Sequence, residues 1–201
     1  MDKKRCGWVG NEQIYQDYHD HVWGRPVYDS QELFAKLCLD GQQAGLAWIT
    51  ILKKQKNYEA AFANFDPAVI ATFDDAKVEE LLQDKGIVRN RLKVNSIIKN
   101  ARGYMANFSD TKSEPANDFA EFLWSFVGGR PIVNHFESME DIPVHTPESE
   151  AMSKALKKMG FNFVGPTICY AFMQAVGMVN DHATFCFCYG KCNKEGRVPR
   201  F

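Results

Sequence analysis

Long hydrophobic runs are missing from this 201-residue chain. None approaches the roughly 20 apolar residues that a membrane-crossing helix needs, and the first ten residues lack the apolar stretch of a secretory signal. A cytoplasmic protein without a membrane partner is therefore expected. An excess of one charge is also missing: 24 Lys and Arg stand against 25 Asp and Glu, a formal net charge of −1. Binding to a polyanion would have to come from a local cluster, so the balance does not exclude DNA. The period-2 alternation of strands is nowhere sustained, and no internal repeat is present. With 45% hydrophobic and 24% charged residues, disorder is excluded and one soluble domain over residues 1–201 is expected.

What is present reads as helix, which makes the expected fold class all-α. Ser30 can cap a segment with Leu33, Phe34, Leu37 and Cys38 on one stripe. Leu46, Ile49 and Leu52 continue in a second helix that ends in the solvated run Lys53 to Lys56. Asp66-Pro67 and Asp74 are start signals, a cap followed by proline at the first helical position and a cap before an acidic first turn. A long helix runs from Val94 to Phe108 and another carries Phe119, Phe122, Leu123 and Phe126. A further one starts at Thr146-Pro147 and stops at Gly160. Loops are expected at about 109–116 and 128–145.

Residues 154–177 read as helix, Gly160, a short apolar turn, Gly165 and helix. Two helices so tightly joined form a hairpin. A helix starting at Gly165-Pro166-Thr167 exposes its first N–H groups to an anion, with Lys154, Lys157 and Lys158 beside them. An ordinary αα-hairpin is an equal reading of the spacing. Arg89, Arg91 and Lys93 offer a second backbone contact, or merely a solvated face.

The six cysteines should be reduced in the cytosol, leaving metal or burial as their use. Cys38 and Cys169 lie in apolar surroundings and are assigned to the core. Cys6 and His19 at one end, with His182 and Cys186 at the other, make a Cys2His2 set of the kind that closes a tetrahedral zinc site and would tie the termini together. Spacing leaves Cys188, Cys192 and His21 as competing ligands, and on spacing alone satisfied histidines and a spare thiol are the plainer account.

Trp8, Tyr15, Tyr18, Trp23 and Trp48 crowd the first quarter, interleaved with the polar segment Asp40 to Gly45. Aromatics around a carboxylate suit a planar, cationic ring through stacking, cation–π attraction and charge neutralisation. A flipped alkylated nucleobase is such a ring.

The segments Arg5-Cys6-Gly7-Trp8, Tyr18-His19-Asp20, Trp23-Gly24, Gly41 to Trp48, Phe122 to Phe126 and Gly160 to Thr167 together resemble the bacterial DNA-3-methyladenine glycosylase I family. The resemblance spans about residues 5–188. It implies a helix-hairpin-helix glycosylase fold, with the hairpin at about 154–177, that flips N3-methyladenine out of double-stranded alkylated DNA. As a monofunctional N-glycosyl hydrolase it would release the free base as product, and a monomer is expected. The resemblance also implies one structural zinc per chain, held by Cys6, His19, His182 and Cys186. Trp48 and Tyr18 would contact the faces of the base with Trp8 beside them, and Asp40 would be the catalytic, base-recognising carboxylate. Gly165, Thr167 and Lys158 would contact DNA. The sequence departs from the family pattern in one respect: glutamate is expected at position 40, and aspartate is one methylene shorter, with Gln42 or Gln43 available to compensate. Asp181, which follows the hairpin, is a lesser catalytic candidate or a partner behind the zinc ligand His182. A non-catalytic zinc-stapled module that binds damaged DNA is the competing function. A catalytic zinc hydrolase is disfavoured, because four protein ligands leave no open position.

Overall fold

A computed structural model describes residues 3–108 and 118–195. Among the described residues the elements are α1 Gln13–His21, α2 Ser30–Gln42, α3 Trp48–Leu52, α4 Gln55–Ala61, α5 Pro67–Ile70, α6 Asp75–Leu81, α7 Arg91–Phe108, α8 Phe119–Ser125, α9 Pro147–Lys158, α10 Pro166–Ala175 and α11 Tyr189–Glu195. The chain is predominantly helical, as the periodicity implies. Two very short strands are the exception: β1 (Ile132–Val133) lies parallel to β2 (Val179–Asn180), with Ile132 opposite Val179. Two residues are too few to leave an alternating pattern, and β1 falls within the expected loop at 128–145. The loop expected at 109–116 lies outside the described residues.

Most start signals act as the sequence suggests. Asp66 accepts from the Ala68 N–H at 2.9 Å with Pro67 at the first helical position, and Asp74 accepts from the Lys77 N–H at 2.9 Å. Thr146 and Ser149 cap α9 reciprocally. Ser30 is not the cap of α2. Asp29 takes that role, accepting from the Glu32 N–H at 2.8 Å, while Ser30 Oγ donates to Asp118 at the start of α8. A tertiary partner thus claims one of two adjacent capping residues. The run from Lys53 to Lys56 is not a solvated helix end either. Lys54 Nζ donates to the Lys85 carbonyl at 2.9 Å, and α4 begins at Gln55 to bury Tyr58.

Helix α2 lies at the centre, with Leu33, Phe34 and Leu37 fully buried and α3, α7, α8 and α10 packed around it. Burying each such side chain contributes about 1.5–3 kcal/mol. Cys38 and Cys169 are buried, as assigned. The hairpin formed by α9 and α10 is fixed from two sides. Asn100 on α7 brackets Asn162, accepting from its N–H at 2.7 Å and donating to its carbonyl at 3.2 Å. Ser153 Oγ donates to the Val164 carbonyl at 2.6 Å. Close approach of α7 to this turn requires Gly103, where an added Cβ would stand 2.8 Å from the Met159 carbonyl oxygen. The fold therefore holds the hairpin turn and the N-terminal half of α10 rigidly beside the end of α2.

Candidate functional site

Two buried polar clusters meet at α1, where consecutive residues face different ways, as neighbours on a helix must. Tyr18 points into a cleft and His19 into a cysteine–histidine cluster.

The cleft has a volume of about 350 Å³. Its walls bring together Trp8, Tyr18, Asp40 and Trp48, all four residues expected to bind a base. Tyr15, Trp23 and Gln43 join them, with Thr167, Tyr170 and Gln174 on the face of α10. Trp48 is the first residue of α3, and its ring centroid lies 5.5 Å from that of Tyr18 with the planes tilted by 43°. Trp8 packs 5.0 Å from Tyr15 and 5.1 Å from Trp23. Asp40 sits one turn after Lys36 on α2, and the two form an ion pair inside the cleft wall. Burial raises the pKa of Asp40, and the Lys36 ammonium works against that rise. Burial likewise lowers Lys36, with Asp40 opposing. Each charge is therefore the other's main compensation.

Lys36 also places Nζ 3.9 Å from the centroid of the Trp48 ring. Two polar atoms of the cleft, Asp40 Oδ2 and Trp48 Nε1, are buried with no hydrogen-bond partner among the described residues. Leaving a buried donor or acceptor unpaired costs about 1–3 kcal/mol, so these atoms mark where a ligand can be received. Tyr18 is held neutral by burial and by the nearby Asp40 charge.

Gln42 does not share this wall: its Nε2 donates to the Lys93 carbonyl at 3.1 Å and its Oε1 accepts from Tyr58. Only Gln43 reaches the cleft. Lys93 is likewise not a free cation, because its buried Nζ donates to the carbonyls of Gln42 and Ala44 at 2.7 Å each. Arg91 pairs with Glu79.

The second cluster joins Cys6, His19, His182 and Cys186, all buried, with ligand atoms within 4.8 Å of one another. These four can hold a metal ion. Cys186 Sγ lies 3.5 Å from His19 Nε2 and 3.6 Å from His182 Nδ1, and Cys6 Sγ lies 3.6 Å from the same His182 nitrogen. The other nitrogen of each ring is occupied: His19 Nδ1 meets Asp20 at 2.9 Å and His182 Nε2 meets the Trp23 carbonyl at 3.3 Å. Those bonds turn a lone pair of each imidazole toward the sulfurs. Hydrogen bonds from Cys188 and Cys6 pull the Cys186 thiol toward thiolate. Gly24, at φ +76°, is required here, since a Cβ would stand 2.8 Å from His182 Nε2.

Among the competing ligands, His21 is exposed and Cys192 stands outside the group, while Cys188 forms a separate group with His19 and Asp20. The residue supporting the cluster is Asp20. Two bonds of 2.8 Å from Arg5 hold its carboxyl down to about 2, His19 adding to the effect. In the sequence Asp20 stands only as part of the Tyr18-His19-Asp20 motif, and its place beside His19 is the one signal of this role.

Asp181 is not behind His182. It accepts from Tyr170 OH at 2.6 Å, Gln174 Nε2 at 2.8 Å and Asn134 Nδ2 at 2.7 Å, and so fixes two residues of the cleft wall on α10. Asn134 follows β1, so the short strand pairing is what delivers it. The chain bends at His182 just after β2, and these neighbours in sequence join different networks.

Known proteins share this fold. The model of the family described as methyladenine glycosylase matches residues 8–189. DNA-3-methyladenine glycosylase 1 of Escherichia coli K12 is 52% identical over 186 residues, covering 92% of this chain and 97% of that protein. A crystal structure of 3-methyladenine DNA glycosylase I superposes with a TM-score of 0.88 at 52% identity, covering 92% of this chain and all (100%) of that one. A variant of 3-methyladenine DNA glycosylase I solved in complex with 3-methyladenine gives a TM-score of 0.85 at 36% identity, with 92% and 97% covered. The chain belongs to the methyladenine glycosylase family.

Proposed function

We propose that the chain is a monofunctional DNA glycosylase of base-excision repair that hydrolyses the N-glycosidic bond of 3-methyladenine in alkylated duplex DNA. The observation that carries this reading is the pairing of the unpartnered Asp40 Oδ2 with the faces of Trp48 and Tyr18 in one cleft. Alkylation at N3 makes the base cationic, weakens its bond to the sugar and turns it into a good leaving group. Little acid catalysis is then required. The protein must extrude the nucleotide, at a cost of a few kcal/mol in stacking, and hold the cation while water attacks the sugar. Asp40 neutralises charge and accepts at the edge of the base, Trp48 and Tyr18 meet its faces, and Trp8 supports them from the side. Normal adenine lacks the charge and keeps the stronger bond.

DNA docks at the hairpin in this reading. Gly165 precedes Pro166 at the start of α10, with open space where a Cβ would stand, and Thr167, Lys154, Lys157 and Lys158 are exposed around it. Backbone N–H groups and lysines then bind phosphates without reading sequence, in the manner of a helix-hairpin-helix.

The buried cluster fits one structural zinc. Bonds of about 2.3 Å to sulfur and about 2.0 Å to nitrogen in a tetrahedron place sulfur and nitrogen about 3.5 Å apart, and the observed separations are 3.5–3.6 Å. Four protein donors leave no position for water, which argues against a zinc hydrolase. A non-catalytic binding module is the weaker alternative, since relatives about 50% identical over 92% of the chain carry the name of the glycosylase.

The experiment that tests the function is chromatography of bases released from methylated duplex DNA by the purified protein. Free 3-methyladenine is the expected product; binding without release would favour the module.

A further inference from the structure

Lys36 is the one cationic side chain of the cleft among the described residues, and the proposed chemistry gives it no task. Its ammonium lies over the Trp48 ring at 3.9 Å from the centroid and pairs with Asp40. Those are the two contacts that the cleft would offer a cationic base. A lysine held there occupies the site as a ligand would.

Lys36 also borders a second cavity, of about 520 Å³. That wall carries Asp29, Glu32 and Glu59. Glu32 stands four residues before Lys36, as Lys36 stands four before Asp40. On a helix a glutamate one turn N-terminal to a lysine is the favourable orientation for an ion pair. One ammonium therefore has two carboxylate berths on one helix face: buried Asp40 toward the cleft, and exposed Glu32 toward the second cavity.

We propose that Lys36 is a specificity-determining competitor of the base, leaving Trp48 and Asp40 for Glu32 when a base enters the cleft. The inference rests on the glycosylase reading above and assigns that site an occupant of its own. A neutral base that displaces the ammonium leaves the Asp40 carboxylate buried without a counter-charge. A cationic base restores it. The lysine thus sets a threshold that charge on the base helps to cross, and in the empty cleft it keeps Asp40 compensated.

The test is calorimetric titration of the 3,9-dimethyladenine cation, which keeps the charge that free 3-methyladenine loses on release, into four proteins: wild type, Lys36→Met, Glu32→Gln and the double variant. If the cleft is occupied by the ammonium most of the time, removing it tightens binding by about tenfold, the reciprocal of the free fraction. Glu32→Gln removes the outer berth and weakens binding by about twofold in the chain that keeps Lys36. In the Lys36→Met background it has no effect. Glu32 is exposed, so that variant reads the exchange even if Lys36→Met folds poorly. Weaker binding by folded Lys36→Met would show that the lysine only positions Asp40, and would overturn the proposal. An equal effect of Glu32→Gln in both backgrounds would overturn it as well. Release of 3-methyladenine from methylated DNA is measured on the same proteins. If wild type and Lys36→Met both release none, the glycosylase reading itself has failed; if both release it while the titrations go the wrong way, only the competitor has.

Discussion

The cysteine–histidine cluster and the cleft are both buried, both polar and both anchored on α1, yet their polar atoms are completed to different degrees. In the cluster, each histidine uses one nitrogen on a sulfur-facing contact and the other on Asp20 or the Trp23 carbonyl, and Asp20 is itself clamped by Arg5. In the cleft, Asp40 Oδ2 and Trp48 Nε1 lack partners among the described residues, and burial raises the pKa of Asp40. A completed polar cluster lowers the energy of the fold; an incomplete one stores an unmet interaction for a ligand. The two regions thus divide stability from chemistry, although Trp8 and Trp23 of the cleft pack against the histidines of the cluster.

The largest effect is expected from Cys186→Ser. Loss of one donor of the clasp should destabilise the protein by about 4 kcal/mol or more, and elemental analysis should show less than one zinc per chain. Denaturant unfolding checks the first and metal content the second. A variant as stable as wild type would break the division, because the clasp would then hold nothing together.

A smaller effect is expected at the hairpin, which belongs to neither cluster. Gly165→Asp puts a negative charge into open space at the start of α10 and should weaken duplex binding by about tenfold, with a shallower dependence on salt. Stability should be nearly unchanged. Equal affinity for every duplex would make the turn purely structural.

The pH dependence sharpens the contrast with the smallest change. Burial raises the folded pKa of Asp40, so the folded state holds that proton more tightly than the unfolded chain does. As pH falls through that raised pKa, protonation of Asp40 should favour the fold while removing the charge that attracts a cationic base. Excision should decline on acidification at a pH above the ordinary carboxylate range, without a matching loss of stability from this group. A profile of single-turnover rate against pH, set beside thermal unfolding over the same range, checks both signs.

Much of this was readable from the sequence because it is local. Caps such as Asp66-Pro67 and Thr146-Pro147 act within one turn, and the 3.6-residue stripes of α2 and α7 state which face is buried. The four cysteine and histidine donors and the four residues expected to bind a base follow from residue types and motif resemblance together, and the fold brings each set together. The roles of neighbours were not legible. Gln42 and Gln43 differ by one position, yet one faces Tyr58 and Lys93 and the other the cleft. Asp181 and His182 part company at the end of β2. Lys36 reads as one more surface lysine on an amphipathic helix until α3 brings Trp48 over it. Each of these depends on a partner at least a dozen residues away, and no periodicity encodes that.

The most direct measurement is the single-turnover release of 3-methyladenine from methylated duplex DNA by Asp40→Asn beside wild type. The substitution keeps the shape and removes the charge. The excision rate should fall by about 100-fold, while affinity for undamaged duplex stays at the wild-type value, since phosphate contacts dominate that affinity. Thermal stability should hold or rise. Excision at the wild-type rate would contradict the account, because the unpaired carboxylate of the cleft would then not be the group that receives the base.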